Sequence, residues 1–255
     1  MKRMLKGSAL FVTAAMALHT SPAWSQTDIQ NAIVASTQKT PEVSTAEFRR
    51  ILATGEANVL DARPYMEFAV GHIPGAVNVS AKAGVPMSAY VSDVAEIEKI
   101  VSGDKTKAVV LYCNGPFCGK SNRLGDELLN AGFTNVRRYQ LGAPVWRALG
   151  GVMQIEPDGF AYIRGGDQTA RIYDARNAKD FASGSLPGSV NLTKEEVEKA
   201  KDDGRLPMED HNTRIVVFGG STAEAREVAE RIAKNAFHNV MFCADPYCKQ
   251  QIAAK

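Results

Sequence analysis

The chain has 255 residues, 45% of them hydrophobic, and 30 basic residues against 28 acidic ones give a net charge of +2. That length suits one large or two small domains, each burying its own core. So small a charge excess argues against a surface built for nucleic acid or for an anionic membrane.

The first 25 residues read as a secretory signal. Lys2, Arg3 and Lys6 form a basic start, Ala9 to Leu18 is a short apolar run, and Ala23-Trp24-Ser25 offers the small residues a signal peptidase needs. The apolar run is too short to span a bilayer, so cleavage leaves a chain starting at Gln26 with no membrane association. Without its three basic residues the balance becomes 27 basic against 28 acidic, a net −1. The expected location is the periplasm. Residues 26–41 are polar, lack periodicity and read as an N-terminal lead.

Val59 to Arg63 is an apolar strand ending in Asp61-Ala62-Arg63, followed by Phe68 in a short helix and the turn Gly71-His72-Ile73-Pro74-Gly75. Ala108 to Tyr112 is a second apolar strand. It delivers Cys113 onto the loop Asn114-Gly115-Pro116-Phe117-Cys118-Gly119-Lys120, which feeds an amphipathic helix from about Ser121 to Ala131. Phe133-Thr134-Asn135-Val136 opens another strand. Gly150-Gly151 and Pro157-Asp158-Gly159 then interrupt the pattern.

Beyond that break the chain repeats itself. Asp61, Gly75 and Asn78 recur as Asp174, Gly188 and Asn191 at one constant offset, together with Arg63 as Arg176, Phe68 as Phe181 and Pro74 as Pro187. Agreement of that kind marks a tandem duplication. Continuous apolar strands alternating with helices predict an α/β fold, with a parallel sheet covered on both faces in each copy. The expected domains are residues 42–151 and 160–250. The copies part at one place. Where the first has the Cys113 loop, the second has Gly219-Gly220-Ser221-Thr222-Ala223-Glu224, shorter by two residues, without a thiol and with an added carboxylate. The second copy is therefore expected to be inactive.

A thiol on a strand-to-helix turn faces backbone N–H groups and a helix dipole that favour its thiolate. Asn114, Gly115 and Gly119 can take the backbone angles that turn successive N–H groups toward it. In an oxidising compartment the four cysteines fall into two equally spaced pairs, Cys113–Cys118 and Cys243–Cys248. A structural disulfide is the favoured reading for the C-terminal pair. No cofactor is expected, and Cys113, Cys118 and His72 are too few ligands for a metal site. Asp61 and Arg63 recur in the copy without a thiol, so they read as structural support, with Arg63 pairing to Glu67 or a neighbour. His72, replaced by Ser185 in the second copy, reads as a hydrogen-bonded structural residue, and Trp146 as packing under the loop.

The strand end Leu60-Asp61-Ala62-Arg63, the turn Gly71 to Ala76, the Cys113 loop, Ala131 to Val136 and Gly142-Ala143-Pro144-Val145-Trp146 resemble the rhodanese (thiosulfate sulfurtransferase) family in its tandem two-domain form, from about Val43 to Phe242. The resemblance implies a central, mainly parallel sheet flanked by helices in each domain. It also implies that Cys113 accepts a sulfane sulfur as a persulfide. Partners would be a small sulfur-containing donor and a thiol or cyanide-like acceptor, with a periplasmic redox protein as a further candidate. Asn114, Gly115, Gly119, Lys120 and Ser121 become candidate substrate-binding residues.

The loop departs from the common pattern in carrying Cys118 where an arginine is usual, and it is two residues longer. Lys120 supplies a positive charge, without the bidentate geometry of arginine. Two roles stay open for Cys118. It either attacks the Cys113 persulfide as a resolving thiol, or closes a resting disulfide in a thiol–disulfide component or redox-sensitive binding module. A phosphatase on this fold is disfavoured, because the loop has no arginine to hold a phosphate.

Overall fold

The computed structural model describes residues 39–80 and 92–244. The signal and most of the lead, as well as Cys248, lie outside the described residues.

The first unit opens with α1 (Thr45–Thr54), set by a serine N-cap: Ser44 Oγ accepts from the Glu47 amide. Gly55 ends it in the left-handed region at φ +65°. Then follow β1 (Asn58–Asp61), α2 (Tyr65–Val70), β2 (Val77–Asn78), α3 (Asp93–Ile100), β3 (Val109–Tyr112), α4 (Gly119–Asn130), β4 (Val136–Tyr139) and α5 (Gly142–Ala148). The second unit contains β5 (Met153–Ile155), α6 (Pro157–Gly166), β6 (Arg171–Asp174), α7 (Ala178–Ala182), β7 (Val190–Asn191), α8 (Val197–Ala200), β8 (Ile215–Phe218), α9 (Thr222–Ala233) and β9 (Val240–Cys243).

Two parallel sheets result, ordered β2-β1-β3-β4 and β5-β9-β8-β6-β7. The middle strands β3 and β8 are buried at every residue, as parallel strands covered by helices on both faces must be. In the first sheet the strand order reverses between β1 and β3. Such a reversal leaves a crevice beyond the carboxyl ends of the strands, the usual ligand position in open α/β sheets. Cys113 follows the end of β3 directly, and Arg63 lies two residues past the end of β1.

The second unit begins before residue 160. Met153–Ile155 is an edge strand paired with β9, and Pro157-Asp158-Gly159, expected as a break, opens α6 instead. Proline suits the first turn of a helix, where its missing N–H costs nothing. Gly159 is required there because a side chain would run into the carbonyl of Ala69 on α2. At the same seam the His72 amide donates to the Gln154 carbonyl at 2.9 Å, and the Gln154 amide donates back at 2.8 Å. One hydrophobic cluster runs through both units, joining Phe48, Tyr139 and Trp146 to Phe160, Phe218 and Met241. Among the described residues no helix is long and apolar enough to cross a membrane.

Candidate active site at the Cys113 loop

Cys113 sits one residue past β3 and is 3% exposed, whereas Cys118 is half-buried at the N-cap of α4. The two are joined in a disulfide with a Cα–Cα distance of 6.3 Å. Phe117, between them, is 76% exposed. The loop closes on itself through the Cys118 amide, which donates to the Gly115 carbonyl at 3.0 Å.

Gly115 is buried at φ +97°, but neither Asn114 nor Gly119 has a positive φ, so only one of the three expected residues bends the backbone that way. The second tight position lies outside the loop. Gly142 has φ +63°, and a Cβ there would fall on the carbonyl of Cys113 and within 2.5 Å of the Gly115 nitrogen. The next amide, Ala143 N–H, donates to that same Cys113 carbonyl at 3.0 Å. The loop is thus seated on the start of α5 backbone to backbone.

The remaining candidates are each held by other partners or buried. Asn114 Nδ2 donates to Glu67 Oε2 at 2.5 Å. Lys120 Nζ lies 3.7 Å from Asp93 Oδ2, which turns its charge toward α3, and burial raises the Asp93 pKa. Ser121 is 2% exposed within the first turn of α4, away from solvent. Trp146 packs against Phe48 of α1, in one cluster with Tyr112 and Ala143 next to the loop, with Nε1 donating to the Val152 carbonyl.

Asp61 and Arg63 form a support on which β1 and β3 end. Arg63 pairs with Asp61, not Glu67, at 2.5 Å, and also donates to the Gly71 carbonyl at 2.8 Å. Tyr112 OH donates to Asp61 Oδ2 at 2.6 Å while accepting from the Ile73 amide. Burial, with the Asp61 charge beside it, holds the Tyr112 pKa well above the usual phenol value. The second copy builds the same support: Arg176 pairs with Asp174 and donates to the Gly184 carbonyl. There Phe218 replaces Tyr112, and Ser185 supplies the missing hydroxyl to Asp174 Oδ2 at 2.6 Å. His72, at the Ser185 position, is 1% exposed, stacks on Phe68 and bonds through Nδ1 to its carbonyl. Burial pushes its pKa down to about 4, so it is neutral at pH 7.

The thiol-free loop is filled from within. The Gly220 amide donates to Glu224 Oε2 at 2.6 Å, and Ser221 caps α9. The protein's own carboxylate there occupies the loop position that an anion would take.

The Rhodanese-like domain profile matches twice, over residues 44–149 and 161–245. The chain belongs to the rhodanese-like family. Human thiosulfate:glutathione sulfurtransferase is 33% identical over 104 residues, 39% of this chain and 86% of that enzyme. An HTH-type transcriptional regulator of Mycobacterium tuberculosis is 32% identical over 108 residues, 42% of each chain. A crystal structure of thiosulfate sulfurtransferase from Pseudomonas aeruginosa aligns at 20% identity and TM-score 0.38, covering 88% of this chain and 46% of that one. The chain thus covers less than half the length of the regulator and of the P. aeruginosa enzyme. Within this rhodanese-like fold the thiol-bearing loop is confined to the first domain.

Sequence reasoning missed three features. Phe117 carried no pattern that would mark it as exposed. Arg147 and Arg214 stand at the domain seam, and only the tertiary arrangement brings them to the cysteine side. The Glu224 carboxylate was visible as an addition to the second loop, but its bond to Gly220 was not.

Proposed function

We propose that this protein is an exported sulfurtransferase-type enzyme that carries sulfane sulfur on Cys113 and resolves it with Cys118. The observation that supports this most is the position of Cys113 at the carboxyl end of β3, within disulfide reach of Cys118. In the reduced protein the Cys113 thiolate attacks the outer sulfur of thiosulfate. A Cys113 persulfide forms and sulfite leaves. The Cys118 thiolate then attacks Cys113 Sγ, the outer sulfur departs as hydrosulfide, and the Cys113–Cys118 disulfide closes. A dithiol protein returns two electrons and two protons to restore both thiols. An acceptor thiol that takes the outer sulfur first leaves Cys113 reduced, with no disulfide formed.

A second reading is supported by the disulfide itself: a thiol–disulfide component that exchanges electrons with a protein partner and moves no sulfur. Mass spectrometry separates the two. Reduced protein given thiosulfate or a polysulfide should gain one sulfur at Cys113, transiently in wild type and lastingly in Cys118→Ser. No added sulfur in either form contradicts the transferase reading. A Cys113–Cys118 redox potential near that of the compartment would then favour the second.

A further inference from the structure

The seam between the domains holds a hollow of about 220 Å3 beside the Cys113 loop. Its wall carries three arginines, Arg63 just past β1, Arg147 from α5 and Arg214 just before β8, against one acidic side chain, Glu67. Asn114 and Ala143, which flank Cys113 in sequence and by hydrogen bond respectively, line the same hollow.

The arginines are not equally engaged. Arg63 is committed to Asp61 and the Gly71 carbonyl. Arg214 Nε lies 3.4 Å from Asp167 Oδ2 but is buried without a hydrogen bond. Arg147 reaches the Asn239 side-chain oxygen at 3.3 Å and meets no carboxylate at ion-pair distance among the described residues. Glu67 is taken by Asn114. Burial, and then the charges of Arg63 and Arg214, lower the Arg147 pKa. Arg63 and Arg214 each have a carboxylate beside them, which leaves Arg147 as the half-buried cation of this wall that meets none among the described residues, and a charge so placed is costly unless an anion reaches it.

We infer that this seam is a binding site for a small oxyanion, with Arg147 as its principal donor and Arg214 of the second domain as its second. A guanidinium offers paired N–H groups suited to the oxygens of a sulfonate or sulfate group. The hollow exceeds the share of a single water, about 30 Å3, several-fold, which leaves room for such a group. This site provides beside the loop the cationic charge that the loop lacks, since Lys120 is turned to Asp93. It also gives the thiol-free domain a task, because the second donor, Arg214, comes from it while holding Asp167 on its Nε side. The role as donor subsite rests on the sulfur-transfer reading, whereas oxyanion binding does not.

The test is calorimetric titration of the oxidised full chain with sodium sulfate at constant ionic strength. Saturable one-to-one binding is expected, at least tenfold weaker in Arg147→Gln and at least threefold weaker in Arg214→Gln, with Arg147→Lys intermediate and all variants melting as wild type does. A companion measurement is thiosulfate turnover, in which Arg147→Gln should raise KM with little change in kcat. Absence of saturable sulfate binding, or binding that Arg147→Gln leaves unchanged, overturns the site. Sulfate binding that depends on Arg147, in a protein whose reduced form takes up no sulfur, supports the site and rejects the transferase reading instead. If Arg147→Gln does not fold, Arg214→Gln and Arg147→Lys carry the test, and unchanged binding in both overturns it.

Discussion

Tyr112 and Ser185 hold one position of a buried network by different chemistry. In the first copy a phenol hydroxyl satisfies Asp61, and in the second a serine hydroxyl, from the His72 position, satisfies Asp174. Tyr112→Phe should therefore cost about 1–3 kcal/mol, since it strands the Ile73 amide and removes a bond to a buried carboxylate. Adding His72→Ser imports the second copy's solution, so a double-mutant cycle by urea unfolding should show favourable coupling of roughly 0.5 kcal/mol or more. Strict additivity would contradict the shared-position account. His72 also sets a pH dependence. Its folded pKa of about 4 lies below the ordinary 6.5, so the unfolded chain takes up the proton first as pH falls. Its contribution is fully present above pH 6.5 and is lost as pH falls toward 4. Wild type should lose up to about 3 kcal/mol more than His72→Gln across that window, measured by denaturant unfolding at each pH. The recurrence of Asp61 and Arg63 in the copy without a thiol pointed to a shared role, and both copies build the same ion pair. That pairing was not legible, because pairing of residues two apart depends on how the strand end bends.

The Cys113 loop and α5 act as one element. Gly142, at φ +63°, lets the helix start touch the Cys113 carbonyl, and no other side chain fits that space. Gly142→Ala should destabilise the protein by about 2 kcal/mol or more and slow sulfur loading on Cys113, because the loop must move to admit the methyl. Loading at the wild-type rate would show that the loop does not depend on this seat. The strands and the loop-to-helix turn could be read directly from apolar runs ending in polar or glycine residues. The two-residue strands β2 and β7 carry too few residues for any period to show. Pro157-Asp158-Gly159 misled for a different reason. The residues that break a helix in its interior also start one, and only the packing of α6 on α2 decides between those roles.

At the scale of the whole molecule, duplication supplied two copies of one scaffold, and the copies then diverged at the loop. The first carries two cysteines there, while the second closes its loop with Glu224. The tandem fold was legible from the repeat alone. The seam was not, because its residues are drawn from both copies and follow no period. One hydrophobic cluster crosses that seam, so calorimetric unfolding should show a single transition, and two resolved transitions would contradict a shared core. The central claim is that Cys113 carries sulfur and Cys118 removes it. Its most direct test is intact-mass measurement on reduced wild type, Cys113→Ser and Cys118→Ser after brief exposure to thiosulfate or a polysulfide. The account predicts one added sulfur that persists in Cys118→Ser, turns over to a disulfide in wild type and is absent from Cys113→Ser. Sulfur retained on Cys113→Ser, or none on Cys118→Ser with any donor, would contradict it.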